Sequence, residues 1–270
     1  MQEKPMKPYK TGSKTVWIST IAAIVLMLLI LVFSNRFGSR SYYIAGILMI
    51  LCTMIPFFAG FEGRKLQARE LVTIAVMCAI AVISRAAFIM LPQVKPIVGI
   101  IMITGMALGP AAGFLTGAVS AFVSNFIFGQ GPWTPWQMFA FGLAGFVAGL
   151  LSKAGILKPE KRLPVAVFGG LFTMLIVGPI LDTCTLFMMS SMVDRASVAA
   201  IYLAGLPFNA VHAAAVFVTL LLLCRPIAEK LERIQIKYGM MESSQRDDTA
   251  MPDGTADDPE NDRKNDGQDI

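Results

Sequence analysis

Ile97-Val-Gly-Ile-Ile-Met-Ile-Thr-Gly-Met-Ala-Leu-Gly109-Pro110-Ala-Ala-Gly113-Phe-Leu-Thr-Gly117, running on to Phe128, is the stretch on which the fold turns. As one helix, 97–128 would be about 48 Å long at 1.5 Å per residue, too long for a single crossing of a hydrocarbon layer of about 30 Å. Gly109-Pro110 offers a break, because glycine ends helices and proline opens the next one more readily than it continues the last. We therefore read two helices, 97–109 and 111–128.

Outward from there, apolar runs at 15–33, 42–60, 70–90, 136–151, 164–190 and 199–224 raise the count to eight. Hydrophobic residues make up 55% of the chain, charged residues 15%, and the mean hydropathy is +0.64. That composition belongs to an all-α, multi-pass membrane protein. Only helices or closed barrels satisfy their backbone groups inside lipid. The first run exceeds a typical signal-peptide core and is followed by Arg36 rather than a small-residue cleavage site, so we read it as a retained span.

Charge tests the count. Eight crossings with a cytoplasmic N-terminus place Lys4, Lys7, Lys10, Lys14, Arg64, Lys65, Arg69, Lys153, Lys158, Lys161, Arg162, Arg225, Lys230, Arg233 and Lys237 inside. Only Arg36, Arg40, Lys95 and Arg195 fall outside. The positive-inside rule then puts both termini in the cytoplasm. The formal charge of +5 hides an acidic end: residues 243–270 hold nine acidic and three basic side chains. The basic excess serves orientation in the bilayer and gives no reason to invoke nucleic acid. Three regions follow: an N-terminal tail and two-helix hairpin (1–65), a six-helix core (66–238), and an acidic cytoplasmic tail (239–270) too polar to fold.

Polar groups within the spans carry the functional signal, because charge at such depth is costly and usually faces a cavity or a partner. Arg85, Asn125, Gln137, Asp182, Asn209 and His212 all fall at or beyond mid-depth on the outer side. Arg85 and Asp182 either tie two helices together or line a cavity, and the clustering favours the cavity. Asn209 and His212, three residues apart, share a helix face. The outer loop 125–137, Asn-Phe-Ile-Phe-Gly-Gln-Gly-Pro-Trp-Thr-Pro-Trp-Gln, adds Phe128, Gln130, Trp133 and Trp136. Amides are unnecessary in a plain connector, so we read this loop as the lip of a small-molecule pocket, with Lys95 beside it. The two tryptophans could equally be interfacial belt residues.

Enzyme chemistry finds little footing. No phosphate loop, His-Glu-x-x-His or Gly-x-Ser-x-Gly is present. One histidine rules out a histidine-rich metal site within the chain. Cys52, Cys78, Cys184 and Cys224 lie in apolar runs without Cys-x-x-Cys spacing. Neither cofactor nor metal is expected. Small-residue spacings such as Ala75/Ala79, Gly109/Gly113/Gly117 and Gly145/Gly149 point first to close helix packing.

Residues 66–231 resemble the substrate-binding S components of energy-coupling factor (ECF) vitamin transporters. The resemblance rests on Arg69-Glu-Leu-Val-Thr-Ile-Ala75-Val-Met-Cys-Ala79, on Gly109-Pro-Ala-Ala-Gly113-Phe-Leu-Thr-Gly117, and on Phe128-Gly-Gln-Gly-Pro-Trp-Thr-Pro-Trp-Gln-Met138 followed by Gly142-Leu-Ala-Gly145. It implies a six-helix core in a bacterial plasma membrane with a vitamin bound near the extracellular face. Ala75 and Ala79 would contact a coupling transmembrane subunit. ATP would be hydrolysed by two separate ATPase subunits, driving the loaded S component to topple. The Trp-Thr-Pro-Trp-Gln loop is most similar to S components for cobalamin or related corrinoids, so cobalamin is the expected ligand, while the same aromatic and amide side chains would also suit a flavin, a pterin or a modified purine. The rival expectation is a stand-alone secondary transporter with Asp182, Arg85 and His212 as an ion relay. The two additional N-terminal helices fall outside the family's usual core.

Overall fold

A computed structural model describes residues 68–189 and 193–238, together with Val25 and a few helical positions between 44 and 55. The hairpin expected over 15–60 otherwise lies outside the described residues, as does the acidic tail. Regular structure among the described residues is entirely helical. The helices are α1 (Ala68–Ala87), α2 (Ile97–Leu108), α3 (Pro110–Phe128), α4 (Thr134–Lys153), α5 (Arg162–Met189) and α6 (Arg195–Lys237).

Five of these are long and apolar enough to cross a membrane; α2 is not. Its 12 residues reach about 18 Å. The break at Gly109-Pro110 is present, with Gly109 at φ 94° and Pro110 opening α3. The expected fourth crossing is thus a short central helix, and its composition explains its place. Apolar all round, it has every residue but Ala107 buried, packed among α1, α3, α4 and α6.

Glycine lets α2, α3 and α4 meet at backbone distance. A Cβ on Gly113 would lie 2.6 Å from Gly105 Cα, and one on Gly149 would lie 2.6 Å from Gly105 O. Gly145 faces both Gly105 and Gly113 just as closely. No side chain fits at this crossing, which is the small-residue packing of membrane helices.

The second half of the core is less regular. A single π-helical turn interrupts α5 at Thr173–Val177, just before Gly178-Pro179. Such turns relieve the backbone where proline removes a donor. Helix α6 runs for 43 residues, about 64 Å, with Pro207 and Pro226 inside it. It starts four residues before the expected position because Asp194 and Ser197 form a capping box: Ser197 N–H donates to Asp194 Oδ1 at 2.8 Å and Asp194 N–H to Ser197 Oγ at 3.1 Å.

The chain runs up and down between two poles. At one pole Arg69 Nη1 donates to Tyr238 O (3.0 Å), Ser152 Oγ to Met106 O (3.3 Å) and Gln235 Nε2 to Ala107 O (2.8 Å). This pole gathers the basic residues from Arg69 to Lys237 that charge counting assigned to the cytoplasm. The opposite pole, where α1, α3 and α5 end and α2, α4 and α6 begin, holds the cavity.

Candidate functional site

Five segments build a cavity of about 580 Å³. Helix α1 contributes Arg85 from its last turn. The following reversal, with Gln93 at φ 61°, brings Gln93 and Lys95 to the same wall. Trp133 precedes α4, and Gln137 and Phe141 follow one turn apart on one face. Helix α5 supplies Leu181, Asp182, Cys184, Thr185, Met188 and Met189, while α6 supplies Ile201, Ala204, Gly205, Phe208, Asn209 and His212 at helical spacing. The volume suits a drug-sized organic molecule, and an apolar wall with a few convergent polar groups is the usual make-up of such a pocket.

Arg85 is 4% exposed yet has no carboxylate partner among the described residues. Its Nη1 donates to Ser124 Oγ at 2.5 Å and to Asn125 Oδ1 at 3.0 Å, and its guanidinium lies 4.3 Å from the Phe128 ring centroid. Lys95 Nζ approaches the same ring at 5.5 Å. Burial, and second the Arg85 charge, hold the Lys95 ammonium below its ordinary pKa. Asn125 Nδ2 donates to Thr134 Oγ1 (3.0 Å), which donates to Gln130 Oε1 (2.9 Å). A hydrogen-bond chain therefore runs from the cavity wall into the loop before α4.

On the far side Asn209 Nδ2 donates to Asp182 Oδ2 at 2.7 Å, joining α6 to α5. Two glycines make room for this pair. A Cβ on Gly205 would lie 2.5 Å from Asp182 Oδ1, and one on Gly178 would lie 2.5 Å from Asn209 Cγ. Thr183 and Tyr202 add a second α5–α6 hydrogen bond of 2.6 Å. His212 closes the floor with its ring edge-to-face on Phe141, centroids 6.3 Å apart.

Among the described residues, four buried side-chain polar atoms lack a hydrogen-bond partner: Arg85 Nε, Ser120 Oγ, Gln137 Oε1 and His212 Nε2. Three of the four belong to cavity-lining residues. Native proteins rarely leave such atoms unpaired, since each costs about 1–3 kcal/mol.

Of the residues singled out from sequence, Arg85, Lys95, Trp133, Gln137, Asp182, Asn209 and His212 come together on the wall. Asn125, Phe128 and Gln130 do not line it; they stand behind, holding Arg85 or the loop. Trp136 is a core residue, 7% exposed and edge-on to Phe187 at 5.8 Å. The Arg85–Asp182 tie does not form, because α1 packs on α2 and α3 and its arginine meets Ser124 and Asn125 first. Sequence reasoning missed Gln93, Phe141, Thr185, Met188, Gly205 and Phe208. Periodicity from Asp182 and His212 along their helices would have found Thr185, Met188, Gly205 and Phe208.

Ala75 and Ala79 lie on the opposite, outward face of α1, both exposed beside Val72, Val76 and Ile83. Residues 65–229 match the family described as ECF-type riboflavin transporter, S component. The match spans more than half of the chain and includes every residue that lines the cavity. No solved structure matches the chain.

Proposed function

The chain belongs to the S components of ECF-type transporters, membrane-embedded transport subunits rather than enzymes, and from this premise we propose that it captures a vitamin in the cavity described above. The observation that carries the reading is the trio of unpaired buried atoms, Arg85 Nε, Gln137 Oε1 and His212 Nε2, on residues of a single wall. The basic pole opposite faces the cytoplasm under the positive-inside rule, which leaves the cavity at the extracellular side. A coupling transmembrane subunit docks on the α1 face carrying Ala75 and Ala79. Separate ATPase subunits supply the energy, and the loaded protein topples to release its ligand inward.

For the ligand, two vitamins have separate support. The family description names riboflavin, and a cavity of about 580 Å³ accommodates a tricyclic flavin. The Trp-Thr-Pro-Trp-Gln loop favours cobalamin, whose macrocycle is far bulkier than a flavin and would need the cavity to stay open on one side. The half-open α6 wall, where Ala204 and Phe208 are exposed, leaves room for that. We place a flavin, riboflavin or its phosphate ester, first because the tricyclic ring is supported by both size and family.

Mass spectrometry of the small molecule that co-purifies with the protein, followed by titration with riboflavin and cobalamin, tests the assignment. Submicromolar binding of one of them supports it. Uptake into vesicles containing this chain alone, abolished by an uncoupler, would replace it with the secondary-transporter reading and its Asp182/Arg85/His212 relay.

A further inference from the structure

Two cations occupy one end of the cavity and share one aromatic ring. Arg85 and Lys95 stand 4.3 and 5.5 Å from the Phe128 centroid. Among the described residues neither has a carboxylate within ion-pair distance. The partners of Arg85 are the neutral Ser124 and Asn125, and its buried Nε has none. The acid that does line the cavity, Asp182, is engaged by Asn209 on the α5–α6 side. Burial and the neighbouring guanidinium both disfavour the Lys95 charge. An aromatic face offsets only part of the cost of desolvating two like charges side by side. A site of this kind is completed by an anion, for which arginine offers planar donors and lysine a point charge.

We propose that Arg85 and Lys95 seat an anionic group of the ligand, a phosphate or a carboxylate, so that a phosphorylated flavin is taken in preference to neutral riboflavin. This rests on the reading of the cavity as a vitamin site and narrows the ligand's chemistry. The free amide and imidazole atoms of Gln137 and His212 then serve the uncharged part of the molecule.

The test uses the full chain in neutral detergent, with tryptophan fluorescence and melting temperature as readouts. Riboflavin and flavin mononucleotide share one ring system and differ by a phosphate, so their ratio isolates the anion. The mononucleotide should bind about tenfold more tightly, and Lys95→Gln, a loop substitution that leaves the Arg85 hydrogen bonds to Ser124 and Asn125 in place, should bring the ratio close to one. Equal binding of the two, unchanged by Lys95→Gln, overturns the anion seat and leaves the vitamin site standing. If no flavin binds, the riboflavin assignment falls, and inorganic phosphate and acetate at constant ionic strength decide the anion seat. A rise in melting temperature with either, absent in Lys95→Gln, upholds it and identifies the group; no rise with either overturns it. Repeating the phosphate arm in phosphatidylglycerol nanodiscs separates ligand from lipid. If the phosphate effect vanishes only there, a lipid headgroup competes for the seat, and the anion chemistry stands with lipid as its source.

Discussion

The two halves of the core use glycine in opposite ways. Around α2, glycine lies against backbone: Gly105, Gly113, Gly145 and Gly149 bring three helices together so closely that no Cβ can be admitted. Around the cavity, Gly178 and Gly205 lie against the side chains of Asn209 and Asp182. The first arrangement cannot yield, because main chains do not move aside singly. The second can, because a side chain has other rotamers. The α2 half is dry and closed, whereas the α5–α6 half has proline in both helices, a π-helical turn and exposed cavity walls. One half is locked backbone to backbone, and the other is packed through side chains that line the cavity.

The largest effect should come from breaking the scaffold. Gly145→Ala forces a methyl group into the backbone of α3 at Gly113 and against the Ile101 side chain of α2, and should cost about 3 kcal/mol, the upper end for overpacking. Thermal unfolding in detergent and the yield of monodisperse protein measure it; a fully stable variant would mean that the helices separate freely. Next come Ala75→Arg and Ala79→Arg, on the exposed face of α1. They should abolish co-purification with the coupling subunit while the melting temperature and ligand affinity stay unchanged. Complex formation at the wild-type level would remove this face from the interface.

The sequence made the scaffold legible and the site only partly so. Long apolar runs specify helices strongly, and Gly109-Pro110 located the break between α2 and α3 correctly. What it did not disclose is that α2, short for a crossing, is surrounded by other helices, since a helix buried by protein and one buried by lipid show the same apolar surface. Charge suggested Asp182 for Arg85, but partner choice depends on which helices are neighbours, and Ser124 and Asn125 carry no charge to announce themselves. The amide-rich loop borders the cavity through Trp133 and Gln137, yet Asn125 and Gln130 act from behind the wall. Phe208 and Met188 form the wall itself and look like any lipid-facing residue until α5 and α6 are placed side by side.

A smaller effect tests the glycines of the cavity half. Gly205→Ala pushes against the Asp182 carboxylate, which can turn away at the expense of its bond to Asn209. Stability should change by no more than about 1 kcal/mol, since the contact is with a side chain end. Ligand affinity should fall by about tenfold as the wall shifts. Loss of stability comparable to Gly145→Ala would erase the distinction between the two halves.

The smallest effect concerns a single acceptor. Among the described residues Gln137 Oε1 is buried and has no hydrogen-bond partner, so Gln137→Leu, similar in size, removes a desolvated group that gains nothing until a ligand donates to it. Melting of the ligand-free protein should hold or rise slightly, while affinity falls by about threefold to tenfold, the worth of one neutral hydrogen bond. A residue kept for packing would show the reverse, with a lower melting temperature and unchanged affinity. The opposed signs separate function from architecture at one position: the same unpaired oxygen is a cost to the empty cavity and a contact for the filled one.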